Sequence, residues 1–393
     1  MAVSSSVEAD ALSLDSCLAL AARHNPEVRA ADREIDAARA RVRQALALES
    51  PSVSYDVGKL GTPVSAQERE ASLRVTQRLP LPVQRSRAGR VARIEVSIAE
   101  ASRDTRILSV QGQVIQAYRH LQADIATVGA LRGLQGTLAD LSQATEARLR
   151  TGGAKYLDVL RARAEAARLD NDRIEADRSI RVDRHALNTL LARAADEPLD
   201  PVDSLLFVSL PDSLPDILAA ARASRPGLRA ARLLVEREEA TLSQARSSLL
   251  PSPEVSLGYD RVPGISQPGI GGGVSLSLPF APWTDRRARV EESNAARLGA
   301  QAELESSERN LERAISDAYE EALAGAAQVR TFEDRLLPDM TIAVRAATRS
   351  FQVGQIDGLV LFETLRTYRT VQQEHIRALL NYHLALSDLR TVE

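Results

Sequence analysis

The sequence predicts a mainly helical protein with a small β part, built as two tandem copies of one unit. Each unit runs helix, β-hairpin, long helical hairpin. Three observations carry that prediction. The 393 residues are 44% hydrophobic yet only 3% aromatic, the make-up of long packed helices rather than of a compact core, where Phe, Tyr and Trp carry much of the buried area. Short motifs recur in one order at an offset near 200. Within each copy the hydrophobic period changes from helical to two and back again.

The duplication rests on four anchors. Asn25-Pro26-Glu27-Val28-Arg29-Ala30-Ala31 returns as Arg225-Pro226-Gly227-Leu228-Arg229-Ala230-Ala231, and Pro51-Ser52-Val53-Ser54 returns as Pro253-Glu254-Val255-Ser256. Leu79-Pro80 with Arg87, Arg90 and Val91 returns as Leu278-Pro279 with Arg286, Arg289 and Val290, offset 199. Gly152 with Leu157, Val159 and Leu160 returns as Gly354 with Leu359, Leu361 and Phe362, offset 202. The organisation is therefore a first repeat over 1–197, a proline-rich joint over 198–215 and a second repeat over 216–393.

Each repeat opens with a helical segment, about 12–49 and 213–250, that stops at Pro51 or at Pro251 and Pro253. Alternation follows. Val53, Tyr55 and Val57 alternate with Ser52, Ser54 and Asp56, and Val255, Leu257 and Tyr259 alternate with Ser256, Gly258 and Asp260. Strands are expected at about 52–58, 71–79, 253–260 and 271–279, each with one apolar and one polar face. Gly269-Ile270-Gly271-Gly272-Gly273 precedes a strand and lacks a following GK[ST], so it reads as loop tip into strand, not as a phosphate loop. Helical hairpins then occupy about 82–193 and 282–391. Ile94, Ala101, Leu108 and Ile115 recur every seven residues, a coiled-coil spacing. A descending helix of about 70 residues spans on the order of 100 Å. Thr151-Gly152-Gly153 and Val353-Gly354-Gln355 reverse the chain at the tips.

Composition removes several functions. A net charge of −3 offers no nucleic-acid footprint. One cysteine, Cys17, excludes an internal disulfide and a cysteine-built zinc site. His24, His120, His185, His375 and His383 show no metal-binding spacing, so no metal site and no cofactor is expected. No constellation of nucleophile, base and metal ligands points to an enzyme. No apolar run approaches the roughly 20 residues a membrane helix needs. Met1 to Leu12 lacks the basic and apolar regions of a secretion signal, so none is expected in this sequence.

Four short strands cannot close on themselves, because the smallest side-chain-filled barrels need about eight. Left open they carry two exposed edges, which lipid does not tolerate. Several chains pooling their strands into one closed barrel resolves this, with the alternating faces becoming lipid and lumen. Two water-exposed hairpins at the end of a coiled-coil rod are the alternative.

The ordered set of motifs resembles the TolC-type outer-membrane efflux channels, in particular the CzcC-like branch of heavy-metal efflux systems. It is carried by Leu14-Asp15-Ser16-Cys17-Leu18-Ala19-Leu20 with Asn25-Pro26-Glu27-Val28, by the paired Leu-Pro strand exits and by the tips Arg150-Thr151-Gly152-Gly153 and Ser350-Phe351-Gln352-Val353-Gly354-Gln355. The closing stretch Ala378 to Leu389 belongs to it too. The resemblance implies a homotrimer with a 12-stranded β-barrel in the outer-membrane lipid, continuous with a periplasmic α-helical barrel. An equatorial region would come from the joint and the chain ends. It implies a passive conduit for solutes, heavy-metal cations among them, in the outer membrane of a Gram-negative cell with most of the chain in the periplasm. The implied partners are a periplasmic adaptor and an inner-membrane pump of the resistance-nodulation-division type. A type I protein-secretion duct and a soluble coiled-coil interaction protein are the rival readings.

The family also indicates sites. Carboxylates about six and nine residues after each tip glycine narrow the pore, and the matching positions are Asp158 and Arg161, then Val360 and Glu363. Asp158 and Glu363 are the expected aperture ring. Arg150, Gly152, Gly153, Gly354 and Gln355 are the expected adaptor-docking tips. Phe280 and Trp283, at the strand-to-helix junction, are the expected membrane-interface anchors.

Overall fold

The computed structural model describes residues 10–59, 69–210, 213–248, 250–261, 269–277 and 283–392. The first repeat folds as β1 (Asp10–Leu12), α1 (Leu14–His24), α2 (Pro26–Leu46), β2 (Ser52–Lys59), β3 (Arg69–Arg78), α3 (Pro82–Arg150) and α4 (Tyr156–Leu190). The joint supplies β4 (Leu199–Pro201). The second repeat folds as α5 (Leu214–Ser224), α6 (Pro226–Ser247), β5 (Ser252–Arg261), β6 (Gly269–Ser277), α7 (Trp283–Thr331), a π turn at Phe332–Leu336, α8 (Leu337–Gln352) and α9 (Gly358–Val392).

Two departures from the sequence reading have local causes. Each opening helix is broken, at Asn25 and at Arg225, where ψ is 130° and 120°. The next residue is proline, which removes an N–H and pushes its predecessor out of the helical region. Asn25 turns the break to use: its side-chain oxygen accepts from the Glu27 N–H at 2.8 Å while its amide donates to the Leu190 carbonyl at 2.9 Å. The second descending helix is interrupted too. Pro338 has no N–H for the carbonyl four residues back, and the turn before it opens so that Leu337 donates to Phe332, five residues back. The equivalent run in the first repeat, α3, continues unbroken for 69 residues.

The chain divides into two compact units, each drawing on both repeats. One comprises Met1–Ala30, Asp104–Arg225 and Arg309–Glu393. Its core has one cluster around Val114, Tyr118, Leu121, Leu187 and Leu199, and another around Leu131, Leu138, Leu169, Phe351, Leu361 and Phe362. Here β1 and β4 pair in parallel, Asp10 opposite Leu199, so the start of the described chain and the joint form one small sheet. Tyr118 donates to the Leu12 carbonyl at 3.1 Å. Further along the joint, Tyr382 donates to the Val208 carbonyl and stacks on Phe207, with centroids 5.2 Å apart. His383 bonds the Leu206 carbonyl through Nε2 at 2.7 Å.

The other unit comprises Ala31–Arg103 and Pro226–Glu308. It holds a four-stranded antiparallel sheet in the order β2-β3-β5-β6, so the two hairpins join through β3 and β5 and leave β2 and β6 as edges. Its helical part is Ala-rich, with Ala38, Ala92 and Ala101 buried, which lets helix backbones approach closely. The sevenfold row holds at Ile94 and Ala101, whereas Leu108 and Ile115 are half-exposed. Beyond residue 104 the chain is in the first unit, where other neighbours surround it and the buried row is Val114, Leu121 and Val128.

Candidate functional site

The tips of the two hairpins share one backbone design. After α3, the Gly153 N–H reaches the Arg148 carbonyl at 2.8 Å and the Gly152 N–H reaches Leu149 at 3.1 Å. After α8, the Gln355 N–H reaches Ser350 at 2.8 Å and the Gly354 N–H reaches Phe351 at 3.1 Å. These are paired six-to-one and five-to-two closures that cap helix carbonyls, and they need a left-handed residue. Gly152 at φ +74° and Gly354 at φ +82° supply it.

Arg148, which no sequence pattern singled out, ties the tips together. Its guanidinium donates to the Phe351 carbonyl of the second tip and to the Gly153 carbonyl of the first at 2.7 Å, and lies 4.7 Å from the Phe351 ring centroid. A fork of donors and a flat cation suit that triple duty. Arg150, Gly152, Gly153, Gly354 and Gln355 are all exposed. Around them Tyr156, Leu157, Leu160, Val353, Leu359 and Val360 form an exposed apolar fringe.

The two expected aperture acids stand in different surroundings. Asp158 is only 3% exposed in the single chain. Its carboxylate accepts from the Lys155 N–H at 3.2 Å, lies 3.7 Å from Arg161, and is packed so closely on Gly358 that a Cβ there would sit 2.8 Å from it. It caps the start of α4 and presses on the start of α9. Glu363 is exposed and bonds Arg366 at 3.1 Å. Arg366 also grips Glu165, which bonds Arg168 at 2.7 Å, and Arg369 bonds Asp172 at 3.0 Å. Lys155 and Asp357 add an exposed pair at 3.5 Å. Ion pairs thus run along the α4–α9 seam, with Glu363 at one end of a chain of four charges. Among the described residues no group of three His, Cys, Asp or Glu is placed to hold a metal.

The sheet is the second candidate. Register places Tyr55, Leu73, Tyr259 and Ile270 in one row, and Val53, Val75 and Leu257 in the next. All seven are exposed in the single chain, Ile270 at 83%, and Val274, two rows further along the same face of β6, is 76% exposed. The opposite face carries Ser54, Asp56, Ser72, Arg74, Thr76, Ser256, Asp260 and glycines. Among the described residues no helix is long and apolar enough to cross a membrane. Phe280 lies outside the described residues; Trp283 begins α7, six residues after β6 ends.

A family model described as outer membrane efflux protein matches residues 17–193 and 217–392. The cobalt-zinc-cadmium resistance protein CzcC of Cupriavidus metallidurans is 25% identical over 376 residues, covering 94% of this chain and 86% of that one. Among solved structures, CusC superposes with a TM-score of 0.83 at 18% identity, covering 98% of this chain and 92% of its own. The outer-membrane channel OprN gives 0.82 at 20% identity, with 96% and 89% covered. VceC of Vibrio cholerae gives 0.79 at 18%, with 96% and 95% covered.

Proposed function

The chain belongs to the outer membrane efflux protein family, passive channel subunits of tripartite efflux systems in the Gram-negative outer membrane, and from that premise we propose that three copies close their sheets into one 12-stranded barrel. The observation that carries this is the exposed apolar face of a sheet with two free edges. In water that face and those edges are liabilities; in a closed ring the edges pair and the face meets lipid. Strands of 8 to 10 residues are the length a tilted membrane strand needs, about 9–11. Ser and Gly dominate the inner face and leave the bore open.

The helical hairpins then reach into the periplasm, and their tips dock a periplasmic adaptor linked to an inner-membrane pump of the resistance-nodulation-division type, which supplies the energy. Support comes from rigidly capped tips ringed by exposed apolar side chains, the kind of surface a protein partner covers. Glu363 presents its carboxylate from the folded protomer and is the ring residue of the narrow end. Asp158 is engaged at its cap, so its ring forms only when the tip rearranges. Phe280 and Trp283 anchor the membrane interface. The cargo is divalent heavy-metal cations, after the name of the CzcC relative, passing through a duct whose inner face carries Asp56 and Asp260.

Detergent extraction, mass and conductance test this together. The expected protein needs detergent, has the mass of three chains and conducts in a planar bilayer. Cysteines at Val53, Leu73, Val255, Val274 and Leu276 should resist water-soluble thiol probes in the membrane. A monodisperse monomer in plain buffer, with those positions labelled, overturns the barrel. For the cargo, a strain lacking the channel should lose zinc, cobalt or cadmium tolerance and regain it on complementation; unchanged tolerance removes the metal assignment and leaves the duct.

A further inference from the structure

The four strands of the sheet do not end level with one another. Ser52, where β2 begins, is in line with Thr76, Ser256 and Gly273, yet β6 runs on four residues, to Ser277. At the loop-side end, Gly269, where β6 begins, is in line with Asp260, Ser72 and Asp56, yet β2 runs on three residues, to Lys59. From β2 to β6 the strand ends therefore drift toward the helices by about one residue per step. One residue rises about 3.3 Å and one step across the ladder is about 4.8 Å. Strands whose ends mark a common level then lean by about 35°, and membrane barrels tilt by about 35–45°.

We propose, on the barrel reading above, that β2 of each copy pairs with β6 of the next in a single register. Val53 stands opposite Leu276 of the next copy, Ser54 opposite Ser275, Tyr55 opposite Val274 and Asp56 opposite Gly273. A fourth step with the same drift, this one between copies, gives that offset, and three copies sum to a shear of about 12 residues for 12 strands. Apolar rows must continue as apolar rows, so any slip comes in steps of two residues. In the proposed register every residue of β2 gains a partner, from Ser52 opposite Ser277 to Lys59 opposite Ile270. A slip one way leaves Lys59 without one, and a slip the other way leaves Ser52 and Val53. Lipid does not tolerate such unpaired backbone. Exposure agrees. On the edge strands Val53 and Tyr55 are 65% and 67% exposed, whereas Leu73 and Val75 of β3, flanked on both sides, are at 42% and 37%. The next copy gives the edge rows the flanking that β3 already has.

Disulfide cross-linking of the full chain in neutral detergent tests the register. Directly opposed Cβ atoms lie about 5 Å apart and diagonal ones about 7–8 Å, so only the opposed pair is within disulfide reach. Ser54→Cys/Ser275→Cys, on the bore face, should close under a water-soluble oxidant into a covalent trimer. It should do so about tenfold faster than the two slipped pairs, Ser54→Cys/Gly273→Cys and Asp56→Cys/Ser275→Cys. Single-cysteine variants, which keep the buried Cys17, should not cross-link. If the first pair does not assemble, Val53→Cys/Leu276→Cys oxidised with iodine reads the same register from the lipid face. A trimer that closes faster at a slipped pair overturns the register and leaves the barrel standing. A trimer that closes at no pair overturns the contact of β2 with β6. Wild type that never forms a detergent-dependent trimer removes both the register and the barrel.

Discussion

The two helical hairpins, 82–190 and 283–392, descend from one ancestral unit and have diverged along complementary lines. Their tips keep the same carbonyl closures and the same left-handed glycine. Their side chains are not the same but matched. Lys155 of one tip pairs with Asp357 at the equivalent place in the other, and Arg148 of the first reaches the backbone of the second, where Ser350 stands in its position. The shafts differ as well: α3 is continuous, while the second run carries three extra residues between strand exit and tip and absorbs its proline in a π turn. Duplication fixes the backbone turn; divergence makes the two copies hold each other.

If that account is right, breaking the contact unique to the first tip should do most. Arg148→Ala should loosen both tips by about 3 kcal/mol, through two lost charged hydrogen bonds and the ring contact, seen as faster amide hydrogen exchange at 149–157 and 350–358. Arg148→Lys should restore less than half, lacking the fork. Exchange confined to the first tip would mean the tips are independent. The glycines rank next. Gly354→Ala should cost about 2 kcal/mol and Gly152→Ala about 1, because both strain the backbone but only at 354 does the new methyl meet Arg148, at 3.3 Å.

A third test contrasts the shafts. In the first, burial and the neighbouring Asp183, charged and hydrogen-bonded to it, raise Asp124 from 3.8 to about 6, and burial raises Asp183 too. The second shaft has Gly325 packed on Tyr382 at the corresponding level. Because the folded hairpin keeps a proton that the unfolded chain releases, stability should fall as pH rises from about 4 to 6. Asp124→Asn should flatten that slope and stabilise the protein at pH 7 by on the order of 1 kcal/mol after solvent screening. Thermal unfolding across that range checks it; a rising slope contradicts it. Asp158→Asn, which weakens the cap of α4, should cost about 1 kcal/mol. Lys155→Ala should be smallest, under about 0.5 kcal/mol and abolished by salt, since both partners are exposed.

Strands and tips were legible because their signals are local. The period-two runs locate β2, β3, β5 and β6 to within two residues at each end, and Gly152 and Gly354 announce reversals. Other features depend on distant partners. Nothing in the run around Arg148 names the Phe351 carbonyl, and nothing in Asp158 foretells burial against Gly358. The pairing of β3 with β5 and of β1 with β4 joins segments far apart in the chain. The helix breaks were within reach: Pro26, Pro226 and Pro338 mark them, and the helical composition around each concealed the effect of a single missing N–H.

The sheet's two unpaired borders are unlike, β2 on one side and β6 on the other. Subunits that meet through them join head to tail, each copy offering its neighbour a different strand from the one it receives. In the closed barrel proposed above, every border must pair for the sheet to have no edge. One faulty border breaches the whole circle, so a damaged copy made alongside a sound one spoils more channels than its share of the subunits.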